Sequence, residues 1–183
     1  MRHVLVTVAL AIATPTLAAG KFTLQSKDVK PGAMLTDEQV FNGFGCSGQN
    51  VSPQLSWSNP PAGTKSFVVT VYDPDAPTGS GWWHWVVYDI PASAPGLPRG
   101  AGSGQGALPE GAKQGRTDFG APGFGGACPP PGGKPHRYVF TVYALKVPSL
   151  DVPADASPAM IGFMTKASSL GSASITAKYA RKK

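Results

Sequence analysis

The chain reads as an all-β-dominated fold of many short strands, with one helix near its C-terminal end and a long, ordered Gly/Pro-rich loop. Three observations predict it. Glycine (23) and proline (19) are abundant among 183 residues, yet 42% of the residues are hydrophobic, so turns are frequent and a core can still form. Three segments are dense in β-branched and aromatic residues and are bounded by Pro or Gly, as strands are. One late segment carries helical rather than alternating spacing.

In chain order, Arg2 and His3 precede an apolar run from Val4 to Ala13, then Pro15 and the small-residue stretch Thr16, Leu17, Ala18, Ala19. This is the layout of a secretory signal cleaved near Ala18 or Ala19, and the run is too short to span a bilayer. Residues 1–19 are therefore expected to be a signal peptide and 20–183 one domain, with a periplasmic or secreted destination and no transmembrane segment. Phe22 to Ser26 alternates as a strand and is followed by a turn at Pro31 and Gly32. Phe67 to Tyr72, Trp83 to Ile90 and Tyr138 to Leu145 are expected to be central strands. Ser157 can cap a helix with Met160, Ile161 and Met164 on one stripe and Gly171 as its stop. Ala173, Ile175, Ala177 and Tyr179 then alternate as a closing strand.

The stretch from Pro91 to Arg137 has little apolar periodicity and a dense scatter of Gly and Pro. Structureless loops of that length are uncommon in compact domains unless functional or disordered. Thr117, Asp118, Phe119 and Gly120, with Phe124 and Cys128 beyond them, supply anchors, so the stretch is expected to be ordered and close to the site. Cys46 and Cys128 are the only cysteines. In an oxidising compartment they read as one disulfide, two buried thiols being the alternative. The formal charge of +6 favours acidic partners, although the Lys and Arg residues are scattered except at Arg181, Lys182 and Lys183. No nucleic-acid-binding motif is present.

Three local groups can carry chemistry. Asp73, Pro74, Asp75, Ala76 and Pro77 form a stiff turn after a strand, with carboxylates at alternate positions. In Trp82, Trp83, His84 and Trp85, strand alternation sends Trp83 and Trp85 to one face and His84 to the other. Pro135, His136, Arg137 and Tyr138 open the next strong strand, where His136 and Tyr138 share a face. Two imidazoles, a carboxylate and a phenol at strand ends suit the oxygens of a phosphate or carboxylate. Protonated imidazoles favour anions, and Asp73 can hold one of them in its tautomer and charge state. Asp73, His84 and His136 can also be read as zinc ligands of a hydrolase, but no positioned nucleophile or GxSxG elbow accompanies them. The expectation is a binding protein, not an enzyme, with no cofactor and no metal.

Taken together, VYDPDAP, GWWHWVVYDIP and GFGGACPPPGGKPHRYVFTVYAL resemble the phosphatidylethanolamine-binding protein family, in particular its bacterial Raf kinase inhibitor-like branch, over nearly all of the chain after the leader. The resemblance implies a Greek-key β-sandwich and a shallow anion pocket for a phospholipid headgroup or a phosphorylated or carboxylated ligand. It assigns to that pocket Asp73, His84, the neighbourhood of Pro129 to Pro131 with Pro130 at its centre, His136 and Tyr138, with Asp75 in support. It also implies an alternative role, inhibition of a protease or kinase through the pocket rim and the long loop. Edge strands of such a sandwich can pair across a homodimer.

Overall fold

A computed structural model describes residues 20–183; the expected signal peptide lies outside the described residues. The strands are β1 (Thr23–Gln25), β2 (Asn42–Gly43), β3 (Cys46–Ser47), β4 (Leu55–Ser58), β5 (Ser66–Asp73), β6 (Trp82–Pro91), β7 (Gly96–Leu97), β8 (Lys113–Gln114), β9 (His136–Leu145) and β10 (Ser169–Tyr179), with one α-helix, α1 (Pro158–Ser168). A five-stranded sheet runs β10-β9-β5-β6-β8 and a three-stranded sheet runs β1-β4-β7, while β2 and β3 form a small ribbon. Every strand pairing is antiparallel. The predicted β-dominated sandwich with a late helix is the observed architecture.

The larger sheet is buried on both faces. Toward the three-stranded sheet, Phe67, Val69, Val71, Trp85, Val87, Phe140 and Val142 pack on Leu24, Leu55 and Trp57. On the other face Val68, Val86, Tyr88 and Leu145 pack on Leu150, Ala156 and Ile161. This two-sided burial explains why β5 reads as an unbroken apolar run instead of alternating.

Ser157 caps α1 as expected, its hydroxyl accepting the Met160 N–H at 3.2 Å, with Pro158 as the first helical residue. Two details of the helix differ from expectation. Ile161 and Thr165 form its buried face, while Met160 is exposed. The helix also ends at Ser168, before Gly171, because Ser169 turns extended and pairs with Leu145. Gly171 therefore lies inside β10, next to a bulge.

The stretch between β6 and β9 is an ordered strap and not one continuous loop. Its residues form β7 against β4 and β8 against β6, Val40 bridges to Ala127, and Phe124 and Ala127 are buried in the core. Cys46 and Cys128 form a disulfide with a Cα–Cα distance of 6.0 Å across 82 residues. It ties the end of the strap to the β2–β3 ribbon. The Arg181 guanidinium reinforces the same junction, donating to the Gly45 carbonyl at 2.5 Å and the Pro129 carbonyl at 3.4 Å.

Because the disulfide closes so long a loop, replacing both cysteines with serine is expected to cost about 4–5 kcal/mol on the chain-entropy account. Urea unfolding of the two forms, compared at equal slope, measures it.

Candidate functional site

The site begins with a carboxylate that is almost completely buried. Asp73, 2% exposed at the end of β5, needs partners, because an unpaired buried charge is costly. Its Oδ1 accepts the Asp75 N–H at 2.8 Å, an Asx turn set by the intervening Pro74, and its Oδ2 accepts from His136 Nδ1 at 2.7 Å. The next residue on β9 repeats the pairing with the second carboxylate. Arg137 Nε and Nη2 grip Asp75 at 2.8 and 2.7 Å, and the Arg137 N–H donates to it at 2.9 Å. The guanidinium's hydrogen bond pulls the Asp75 carboxyl down to about 2. The DPD turn and the HR dipeptide thus lock the ends of β5 and β9 together through two adjacent pairs.

His84 reaches the site by a different route. In the β5–β6 register Tyr72 faces Trp83 and Val71 faces Trp85, so His84 is the extra residue of a bulge. This corrects the alternation argument: Trp83 and Trp85 lie on opposite faces. Trp83 packs with Tyr72 at 4.6 Å on the helix side, and Trp85 enters the core between the sheets. The strap binds both edges of the bulged residue. The Gly125 N–H donates to the His84 carbonyl at 2.8 Å, and His84 Nδ1 donates to the Gly125 carbonyl at 2.8 Å. Asp118, from the same strap, takes the neighbouring Trp83 N–H at 2.7 Å. A Cβ at Gly125 would run into the Phe119 ring, which would have to move aside.

These groups meet in a cavity of about 200 Å³. Asp73, His84, Pro130, His136 and Tyr138 all line it, whereas Asp75 faces a neighbouring surface hollow with Lys134, Arg137 and Lys178. Sequence reasoning named Trp82 in the group around His84 and Phe119 as an anchor of the stretch near the site, but it missed Phe44 and the aromatic rim the three form together. Phe44 is 70% exposed and sits in left-handed backbone (φ 51°) between two glycines, and its ring stacks on Phe119 at 5.8 Å. The signal available was an aromatic residue flanked by glycine, at Gly43-Phe44-Gly45 and at Phe119-Gly120, which marks an aromatic carried on a turn.

The polar floor is chemically uneven. Burial pushes the His84 imidazole below its ordinary value, against the pull of the Gly125 carbonyl and the Asp73 charge, which disfavours an imidazolium there. Burial, with the Asp73 charge beside it, raises the Tyr138 phenol. That hydroxyl is a buried donor with no protein partner among the described residues. Thr78, also in the wall, gives its hydroxyl proton to the Gly81 carbonyl at 2.5 Å, which leaves it a poor nucleophile. Among the described residues no group of three or more His, Cys, Asp or Glu is arranged to hold a metal ion.

Residues 25–180 match the family described as phosphatidylethanolamine-binding protein. The chain belongs to that family. The UPF0098 protein YbcL of Escherichia coli is 53% identical over 180 residues, 98% of each chain. The UPF0098 protein YbhB of the same organism is 57% identical over 85% of this chain and 98% of its own. The crystal structure of YbcL, described as a new member of the mammalian PEBP family, superposes with a TM-score of 0.86 at 55% identity, over 89% of this chain and all of the other. The putative lipoprotein LppC of Mycobacterium tuberculosis is 35% identical over 79% of this chain and 65% of its own. The bacterial branch of the phosphatidylethanolamine-binding proteins is thus the one the sequence motifs resembled.

Two titrations check this electrostatic picture. Asp75 is expected to half-protonate at about 2 and to return toward 3.8 in Arg137→Ala, as read by carboxyl NMR shifts. A carboxyl held low stabilises the fold above its ordinary value, so this contribution is lost as pH falls from 3.8 through about 2. At pH 6.5, where an unperturbed imidazole is half protonated, nitrogen NMR shifts are expected to show His84 as the neutral Nδ1–H tautomer.

Proposed function

We propose that the protein is an exported, non-enzymatic binding protein whose cavity takes a small anionic group: a phospholipid headgroup or a phosphorylated or carboxylated ligand. The observation that carries this reading is the convergence of three hydrogen-bonding groups on one small cavity under an aromatic rim. They are the Tyr138 hydroxyl, a donor without a protein partner, and the two imidazoles His84 and His136. Such a cavity, mostly apolar with a few convergent polar groups, is the usual form of a small-ligand site. Asp73 fixes His136 so that Nε2 is the nitrogen left for a ligand. Binding is favoured over catalysis because the wall's one aliphatic hydroxyl among the described residues, on Thr78, is committed to backbone. Export is supported by the leader-like residues 1–19, the disulfide and the lipoprotein name of LppC. No helix among the described residues is long and apolar enough to cross a membrane.

One observation favours a second reading, inhibition of a protein target through the rim. Phe44 is exposed on a turn held by the disulfide and by Arg181, a stiff projecting aromatic of the kind that anchors protein interfaces.

Calorimetric titration of the protein with inorganic phosphate and with acetate separates the readings. Binding of either is expected, with no zinc requirement. Tyr138→Phe, which keeps the ring and removes the donor, is expected to weaken binding by about tenfold, the worth of one hydrogen bond to a charged group. Silence toward both anions would shift the weight to the rim, and binding only with zinc would revive metal chemistry.

A further inference from the structure

The Cys46–Cys128 disulfide does more than tie the strap to the ribbon. Cys128 lines the cavity beside Phe44 and Pro129, whereas Cys46 lines a separate surface hollow with Asp37, Arg181 and Lys182. Both cysteines are half-buried. Thiol–disulfide exchange requires a thiolate to approach in line with the bond, so the sulfur reached from outside is attacked and the inner one leaves. Arg181 Nη1 lies 3.8 Å from Cys128 Sγ. A guanidinium there stabilises a thiolate forming on Cys128 and makes it the better leaving group. The segment restrained by the bond is also strained. Phe44, two residues before Cys46, is a non-glycine residue at φ 51°, a conformation that a side chain disfavours. The ribbon that carries it has only two register pairs, Asn42 with Ser47 and Gly43 with Cys46. Its remaining supports are the Phe44 ring on Phe41 and Phe119 and the grip of Arg181 on the Gly45 carbonyl.

We infer that Cys46–Cys128 is an exchange site for a dithiol reductant, and that opening it releases the Phe44 turn from the cavity mouth while the sandwich stays folded. A thiolate of the dithiol attacks Cys46 Sγ, the sulfur–sulfur bond breaks, and its electron pair leaves on Cys128. The second thiol then attacks the mixed disulfide, closes the reductant into its own disulfide and frees Cys46. The dithiol gives up two electrons and two protons. One proton goes to Cys46 and the other to solvent, Cys128 remaining a thiolate beside Arg181. Because the bond stabilises the fold, the fold stabilises the bond to the same degree. A dithiol, whose ring closure drives the second step, is therefore the class of reductant required. This chemistry is independent of what the cavity binds.

Two experiments on the folded, oxidised protein test it. In the first, the protein is exposed briefly to glutathione, quenched with excess iodoacetamide and mapped by peptide mass. Glutathione is expected on Cys46 and the alkyl group on Cys128. The reverse pattern, or exchange only once the protein is unfolded in urea, overturns the assignment. In Arg181→Gln the preference for Cys46 is expected to fall at least about threefold, the effect of a one-unit change in thiol acidity. Being a ratio within one protein, that preference is insensitive to a general loosening of the turn, and an unchanged ratio overturns the role given to Arg181. In the second experiment, hydrogen exchange is compared before and after reduction with dithiothreitol. Faster exchange is expected at Asn42–Ser47, with β5 and β9 still protected. Loss of protection in β5 and β9 as well, or no change at Asn42–Ser47, overturns the release of the turn.

Discussion

Burial of the Asp73 carboxylate is the constraint on which the site's geometry depends. A charge this deep is tolerated only with its lone pairs satisfied, and the two groups that satisfy it come from different parts of the chain. One is the Asp75 N–H within the DPD turn, and the other is His136 Nδ1 at the start of β9. Satisfying Asp73 therefore brings the end of one central strand to the beginning of the next. It also turns the His136 ring so that Nε2 points away from the carboxylate. Breaking the pair would leave an uncompensated buried charge, which is why the geometry is held tightly although the pair's net contribution to stability is modest.

The second imidazole is positioned by backbone rather than by charge. A bulge in β6 makes His84 the odd residue between Trp83 and Trp85, free of the β5 ladder. The strap then supplies what the ladder does not, pairing Gly125 with both the carbonyl and the ring of His84. The two histidines thus reach the cavity by different supports. His136 is steadied by a carboxylate and His84 by a carbonyl, and burial pushes the His84 imidazole down.

The sequence was legible where strands are long and their residues β-branched or aromatic, as in β5, β6, β9 and β10. It was silent on β2, β3, β7 and β8, each two residues long, because a pair of residues has no period. β4 is a different case: Leu55 and Trp57 are buried while Ser56 and Ser58 face outward, so the alternation was present but too short to stand out among the prolines. The misplaced Trp83 has a sharper cause. A bulge is a property of two strands in register and cannot be seen in one, so simple alternation was bound to fail at His84. The polar half of the cavity came from motif resemblance and side-chain chemistry. Its aromatic half was hidden because Phe44 and Phe119 sit on glycine-rich turns, where no periodicity links a residue to a face.

The contrast between the protein's charge and the cavity's charge suggests a division of labour. The chain carries a formal charge of +6, and Lys134, Arg137 and Lys178 lie around the hollow that shares His136 with the cavity. Such charge acts at long range, raising the local concentration of anions of every kind, and it weakens with salt. Among the described residues, no lysine or arginine lines the cavity itself. What stands there is directional: a phenol and two imidazoles, each ring held through Nδ1 by an acceptor. The surface charge is therefore undirected, whereas the cavity's polar groups are fixed in place by their own hydrogen bonds.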